Sequence, residues 1–246
     1  MDKLIYTAMT GARMLAQRQE SIAHNLANAN TNGYRAQTTA FRATPVNGPG
    51  VASRVAAVET STGSDFRPGP LLQTGNPFDV AISGSGFFAV QAPDGSEAYT
   101  RDGQMELSPE GNLVSKKGHP LIGEGGPLTI PANHEVMIGR DGTISAVPAG
   151  AGKQNSVTVG RLKLVNPDEK SLVRGGDGLF RVPGGEADAD PAVTVSSGSV
   201  EASNVNVVEA LVDMISVARH FETQMKLMSS AEQNARAATQ LLSISG

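Results

Sequence analysis

The 246-residue chain has no cysteine and no tryptophan. Without thiols it can form no disulfide and offer no thiolate to a metal, so a cross-linked scaffold and a Cys-based zinc module are both closed to it. Aromatic residues make up only 4% of the chain. No uninterrupted apolar run approaches the ~20 residues of a membrane span. The opening Met1-Asp2-Lys3-Leu4-Ile5-Tyr6 carries no apolar stretch of signal-peptide length. A soluble chain is therefore expected, without direct membrane insertion and outside the ordinary secretory route. Basic residues are not in excess: the net charge is -4, which argues against nucleic acid as a partner.

Motifs that carry chemistry are missing as well. There is no Gly-x-x-x-x-Gly-Lys-Ser/Thr loop and no Gly-x-Ser-x-Gly elbow. Gly84-Ser85-Gly86 lacks the third glycine of a dinucleotide fingerprint, and strand-like residues follow it where a helix should begin. His24, His119, His134 and His220 stand apart from one another, with no zinc-ligand spacing. Asp94, Asp102 and Asp141 each precede glycine, so turn chemistry accounts for them. No catalytic, cofactor-binding or metal residue is assigned, and no enzyme is expected.

What is plentiful is glycine (28) and proline (14), which favours many turns and short strands over a large helical core. Periodicity divides the chain. In residues 1–33 two series recur every seven residues: Ile5, Ala12, Gln19 and Leu26, then Ala8, Leu15, Ile22 and Ala29. That stripe predicts a helix that pairs with other helices, stopped at Asn32-Gly33. Residues 34–70, with Pro45, Pro49, Pro68 and Pro70, are expected to be an extended or irregular connector. In residues 71–204 short β-rich runs such as 78–82, 86–90, 136–138 and 157–165 alternate with Asp94-Gly95, Asp102-Gly103, Glu110-Gly111, Asp141-Gly142 and Asp177-Gly178. Acid-Gly pairs between such runs are hairpin signals, so a mainly β domain is expected.

Residues 205–246 carry a second seven-residue series, Val207, Met214, Phe221, Met228, Ala235 and Leu242. Leu211, Ala218 and Met225 are taken as the second position of that repeat. Asn206 followed by Glu209 has the form of a capping box. The fold class expected is α+β, with long N- and C-terminal helices forming a coiled-coil-like domain beside a mainly β centre. The C-terminal helix would be about 58 Å long, against a radius of gyration near ~18 Å for a domain of this size. It must find cover on the other end helix, on neighbouring copies, or on both. Periodicity alone fits equally a helix pair packed on its own domain and a simple coiled-coil dimer. The N-terminal stripe is rich in Ala and Gln, so the ends are expected to be weakly held in the monomer and to order on assembly.

Several segments together resemble a known family. Asn25-Leu26-Ala27-Asn28-Ala29-Asn30-Thr31-Asn32-Gly33-Tyr34 resembles the N-terminal signature of the flagellar rod and hook (axial) proteins. Gly75-Asn76-Pro77-Phe78 with Gly84-Ser85-Gly86-Phe87-Phe88 is similar to their central stretch, and Tyr99-Thr100-Arg101-Asp102-Gly103 to the next. Glu201-Ala202-Ser203-Asn204-Val205-Asn206 resembles their C-terminal signature. The opening residues and the length look most like the proximal-rod branch, with the distal-rod and hook branches next. Tyr34 stands where the family often has Phe, and Ser85 where it often has an acid.

The resemblance implies a structural subunit of the basal-body rod in the periplasmic space. It implies polymerisation through terminal helices, with other rod proteins and copies of the same chain as partners. It also implies export by the flagellar type III apparatus without signal cleavage, and no cofactor. The helix positions implied to pack subunits are Ile5, Ala8, Ala12, Leu15, Ile22, Leu26, Val207, Leu211, Met214, Ala218, Phe221, Met225 and Met228. Gly33 would turn the chain and Tyr34 anchor it, while Asn25, Asn28 and Thr31 cap or cross-link the helix end. A reading from another class is a β-domain hydrolase or binding module with a helical dimerisation tail.

Overall fold

A computed structural model describes residues 2–45, 55–148 and 156–244. The chain divides into two units. The first comprises the described residues of 1–29, 36–65 and 205–246, and the second those of 30–35 and 66–204.

The first unit holds two α-helices, α1 (Asp2–Ala27) and α2 (Val207–Ile244), and a hairpin of β1 (Gln37–Pro45) and β2 (Val55–Ser64) that lies against α1. The helices run antiparallel: Arg18 reaches Asp213 at 3.5 Å, and Gly11 faces the Gln224 amide. Each helix starts or stops where its side chains dictate. The Asn206 side-chain oxygen accepts from the backbone N–H groups of Val208 (3.1 Å) and Glu209 (3.3 Å), so it caps α2, with acidic Glu209 in the first turn. At the end of α1 the Asn28 side chain donates to the His24 carbonyl at 2.9 Å, satisfying a group the helix leaves open. The Asn25 amide then pairs with the backbone of Gln37 in both directions, at 2.9 and 2.7 Å, and so sets the start of β1.

The second unit is built of short antiparallel strands: β3 (Leu71–Gln73), β4 (Val80–Ser83), β5 (Phe87–Gln91), β6 (Glu97–Thr100), β7 (Met105–Leu107), β8 (Leu113–Ser115), β9 (Ile122–Gly123), β10 (Gly126–Pro127), β11 (His134–Ile138), β12 (Thr143–Pro148), β13 (Val157–Arg161), β14 (Leu164–Val165), β15 (Val173–Arg174), β16 (Phe180–Arg181), β17 (Thr194–Ser197) and β18 (Ser199–Glu201). The largest sheet runs β14-β5-β6-β16-β15, with β11-β12-β13 and the pairs β17-β4, β18-β3, β7-β8 and β10-β9 around it. Alternation along β5 explains the run Phe87-Phe88-Ala89-Val90. Phe88 and Val90 point into a core with Val80, Ile82, Ile144 and Leu162, while Phe87 and Ala89 point to the other face with Tyr99, Val165 and Phe180. Both faces are covered, so no polar alternation is needed. Phe66 completes the second layer, its ring 6.0 Å from Phe87 and 5.3 Å from Phe180.

The fold class expected from sequence, a coiled-coil-like domain of two long end helices, is corrected in two respects. First, the unit that holds the helices also holds the β1-β2 hairpin, in the stretch read as an extended or irregular connector. Proline was read there as a breaker, yet Pro45 ends its strand, Pro68 and Pro70 follow β2, and Thr38, Thr39, Thr44, Val55, Val58, Thr60 and Thr62 suit a pleated ladder. Second, the two helices do not pair as a coiled coil along the whole expected seam: α2 turns Met214, Phe221 and Met228 toward α1 and leaves other positions of the series outside. Full or partial burial recurs at Met214, Phe221 and Met228 of the first series and at Ala210, Val217 and Gln224, three residues after that series where the sequence reading took four. Both spacings satisfy a seven-residue repeat, and α2 carries apolar residues at both. Val207, Leu211 and Met225 are therefore exposed. Pro49 of the expected connector and the stop at Gly246 lie outside the described residues, as do the side chains of Ala235, Thr239 and Leu242.

Candidate assembly surface

In the helix pair Leu15, Ile22 and Val217 are buried together, flanked by Ala210, Met214 and Phe221. Ala8 and Ala12 are also buried, and Ile5, Leu26, Ala218 and Met228 are half-buried. Arg18–Asp213 is an exposed ion pair, which contributes at most about 1 kcal/mol. The packing rests on the apolar contacts.

Away from α1, the first half of α2 presents a second apolar face. Val208, Leu211, Val212 and Ile215 recur at helical spacing and are 70%, 44%, 61% and 56% exposed. A helix that is apolar on two faces has two neighbours to satisfy.

The residues of the N-terminal and central signatures lie at turns and crossings. Gly33 adopts φ +66, and a Cβ there would come within 2.2 Å of the Asp102 backbone nitrogen. Its own N–H donates to the Glu201 carbonyl at 2.7 Å. Tyr34 is buried, with the Arg174 guanidinium 4.6 Å from its ring centre and its backbone N–H on the Thr31 carbonyl. Burial raises the Tyr34 hydroxyl above its ordinary range, and Arg174 offsets part of that rise. Gly75 takes φ +75, and its N–H donates to the Gly198 carbonyl. The Asn76 side chain accepts from Phe78 and donates to Asp79. Asn204 donates its side-chain amide to the Arg67 carbonyl at 2.9 Å.

Sequence reasoning missed the most buried polar group among the described residues of the second unit. Glu201, 1% exposed, lies between Arg35 and Arg101, each 2% exposed. One carboxylate oxygen takes Arg35 at 2.5 Å and the Gly69 N–H at 2.9 Å, and the other takes Arg101 Nε at 2.8 Å. Arg101 also donates to the carbonyls of Gly86 (2.7 Å) and Gly84 (2.8 Å), two glycines held at positive φ. Arg35 donates to the Arg67 carbonyl at 2.9 Å. The cluster thus clamps the segment that follows α1, the one that follows β2 and the one that leads to α2. Each of the three residues stands in or beside a signature segment. A charged residue inside an otherwise apolar and small motif was the available signal.

For chemistry the arrangement offers little. Among the described residues no three His, Asp or Glu side chains come together to hold a metal. No described helix is long and apolar enough to cross a membrane. An open groove of about 440 Å³ is lined by Glu97, Ile122, Glu124, Lys163 and Glu186. Its Glu97 is already engaged by Lys163 at 2.7 Å and by the Tyr99 hydroxyl at 2.9 Å.

Comparison with known proteins follows the same segments. The family described as "Flagella basal body rod protein" matches residues 5–35, that described as "Flagellar hook protein FlgE/F/G D1 domain" matches 81–146, and that described as "Flagellar basal body rod FlgEFG protein C-terminal" matches 196–241. The chain is 46% identical over 252 residues to the flagellar basal-body rod protein FlgF of Salmonella typhimurium, with 100% of both chains covered. It is 35% identical to FlgF of Caulobacter vibrioides, covering 98% of each, and 34% identical to the rod protein FlgG of Buchnera aphidicola, covering 96% of this chain and 98% of that one. A terminal helix pair, a β unit closed on its own signatures, and likeness running the full length of these relatives have one reading: the chain belongs to the flagellar basal-body rod protein family.

Proposed function

We propose that this chain is a structural, non-enzymatic subunit of the proximal part of the flagellar basal-body rod, joined to the axial shaft through its terminal helices. The observation that carries the reading is the second apolar face of α2: Val208, Leu211, Val212 and Ile215 stay exposed after α2 has packed on α1. Each side chain of that size contributes about 1.5–3 kcal/mol when fully buried, so the face supplies a strong drive to associate. Its partners are other rod proteins and copies of the same chain. The buried stripe of α1 is poor in large side chains, Ala8 and Ala12 standing beside Leu15 and Ile22, which supports an ordering of the ends that is completed on assembly. In this reading the chain is delivered by the flagellar type III apparatus without a cleaved signal and works in the periplasmic space.

The test replaces Val208, Val212 and Ile215 together by serine in the full chain. The purified variant should keep the helical circular dichroism and melting of the parent, while the cells lose the protein from isolated basal bodies and lose motility. Normal incorporation of the triple variant would overturn the reading.

A further inference from the structure

The stop that follows α1 is an Asn-Gly pair, Asn32-Gly33. In an open chain such a pair reacts with itself. Once a base has taken its proton, the Gly33 backbone nitrogen attacks the carbonyl carbon of the Asn32 side chain. Ammonia leaves and a cyclic succinimide closes. Water then opens the ring at either carbonyl, giving Asp or isoAsp, so one water is consumed and one ammonia released. Glycine is the follower that permits the attack, because no side chain restricts its backbone.

Inside the β unit the two reacting groups are held differently. Asn32 is only half-buried, so burial of its amide does not prevent the attack. Gly33 is buried, and its N–H is committed to the Glu201 carbonyl at 2.7 Å. At φ +66 its main chain presses on a wall: the Cβ position lies 2.2 Å from the Asp102 nitrogen and 2.3 Å from the Arg101 carbonyl carbon. The next residue, Tyr34, is buried against the Arg174 guanidinium, with its N–H on the Thr31 carbonyl. Glu201 is itself fixed by Arg35 and Arg101. The Gly33 nitrogen cannot lose its proton or swing toward Asn32 without leaving these contacts.

We infer that Asn32 is a self-modification site governed by closure of the β unit: it deamidates in the open chain and is protected once the Glu201 carbonyl holds Gly33. Its rate in the folded protein is then set by local opening of this crossing, as amide hydrogen exchange is. The isoAsp product carries the main chain through the former side chain, which adds a backbone carbon just before Gly33. A crossing that has no room for a Cβ has none for that atom. The modified chain therefore does not close, and a copy that stays open too long is withdrawn from folding for good.

The full chain is incubated in native buffer and, in parallel, in unfolding urea at the same pH and temperature, then digested with trypsin. Residues 19–35 report Asn32, and residues 43–54 report the second Asn-Gly pair, Asn47-Gly48, as a rate standard in urea. Electron-transfer fragmentation locates the mass gain and separates isoAsp from Asp. Asn32 and Asn47 should react at similar rates in urea, and Asn32 at least about a hundredfold more slowly in the native chain. A native Asn32 rate within about threefold of its urea rate would overturn the protection. For the consequence, an Asn47→Gln chain is partly reacted in urea, refolded and treated briefly with protease. Copies with isoAsp at position 32 should be digested selectively, while Asn32→Asp, which adds the charge but no backbone atom, refolds and resists like the parent. Survival of the isoAsp copies, or equal loss of Asn32→Asp, would overturn the argument from chain length.

Discussion

Glu201 and Arg101, 100 residues apart in the chain, meet inside the β unit with Arg101 Nε 2.8 Å from the carboxylate. Neither is more than 2% exposed. Removing one partner of a buried pair leaves the rest uncompensated, which costs about 3–5 kcal/mol. Glu201→Gln leaves two buried guanidinium groups without a counter-charge. Urea denaturation of the full chain should show a loss in that range, carried by the β unit. A change below about 1 kcal/mol would mean the cluster does not hold the three segments.

Gly33→Ala meets both a left-handed backbone and a wall, since its Cβ would lie 2.2 Å from the Asp102 nitrogen. A loss of about 3 kcal/mol or more is expected. Gly95→Ala also has a positive φ, +83, but nothing within 4 Å of the added carbon. It should cost only about 1–2 kcal/mol. Thermal melts of the two variants separate strain from collision.

Asp102 gives a pH signature. Burial is the main cause that raises its carboxyl above the ordinary range, and nearby Asp79 adds to this, while the Gln104 N–H, Lys117 and Lys116 pull it down. The folded state therefore holds the proton more tightly than the unfolded one. Its favourable contribution is fully present below the unfolded value and is lost as pH rises through the folded value. Asp102→Asn keeps an oxygen for the Gln104 N–H, 3.2 Å away, and removes the charge. Relative to the parent, the variant should gain stability as pH rises above the ordinary aspartate value. An unchanged difference across that rise would contradict the burial argument.

The seam of the helix pair can be read by truncation. Leu15→Ala, at a position 9% exposed, should lower helix-unit stability by about 2–5 kcal/mol. Leu211→Ala, 44% exposed, should cost under about 1 kcal/mol in the monomer. Helical ellipticity against temperature measures both. Equal losses would mean that Leu211 is covered within the single molecule.

These contrasts show what local sequence signals carry and what they do not. The glycines of Asp94-Gly95, Asp141-Gly142 and Asp177-Gly178 take φ of +83, +82 and +82, because an acid–Gly pair encodes its turn within a few residues. Asp102-Gly103 looks the same and does something else. Gly103 lacks a positive φ and is small because a Cβ would strike the Val80 carbonyl at 1.6 Å, and Asp102 is buried. A close crossing of distant strands leaves no trace in neighbouring residues. The same limit hid the Arg35–Glu201–Arg101 cluster, whose members each look like an isolated surface charge. On α2 the difficulty was an excess of signal: apolar residues at both heptad spacings, one set for α1 and one left outward. Leu211, read from sequence as a subunit-packing position, lies on the outward set.

The chain threads back and forth so that its last segments close what its first ones begin. The helix unit lacks α2 until the final residues exist, and the β unit lacks its anionic centre until Glu201 is made. A product cut short anywhere before that point has neither hydrophobic core sealed. Both units therefore depend on segments drawn from the two ends of the chain, so loss of the last of them would leave each without one side of its interior.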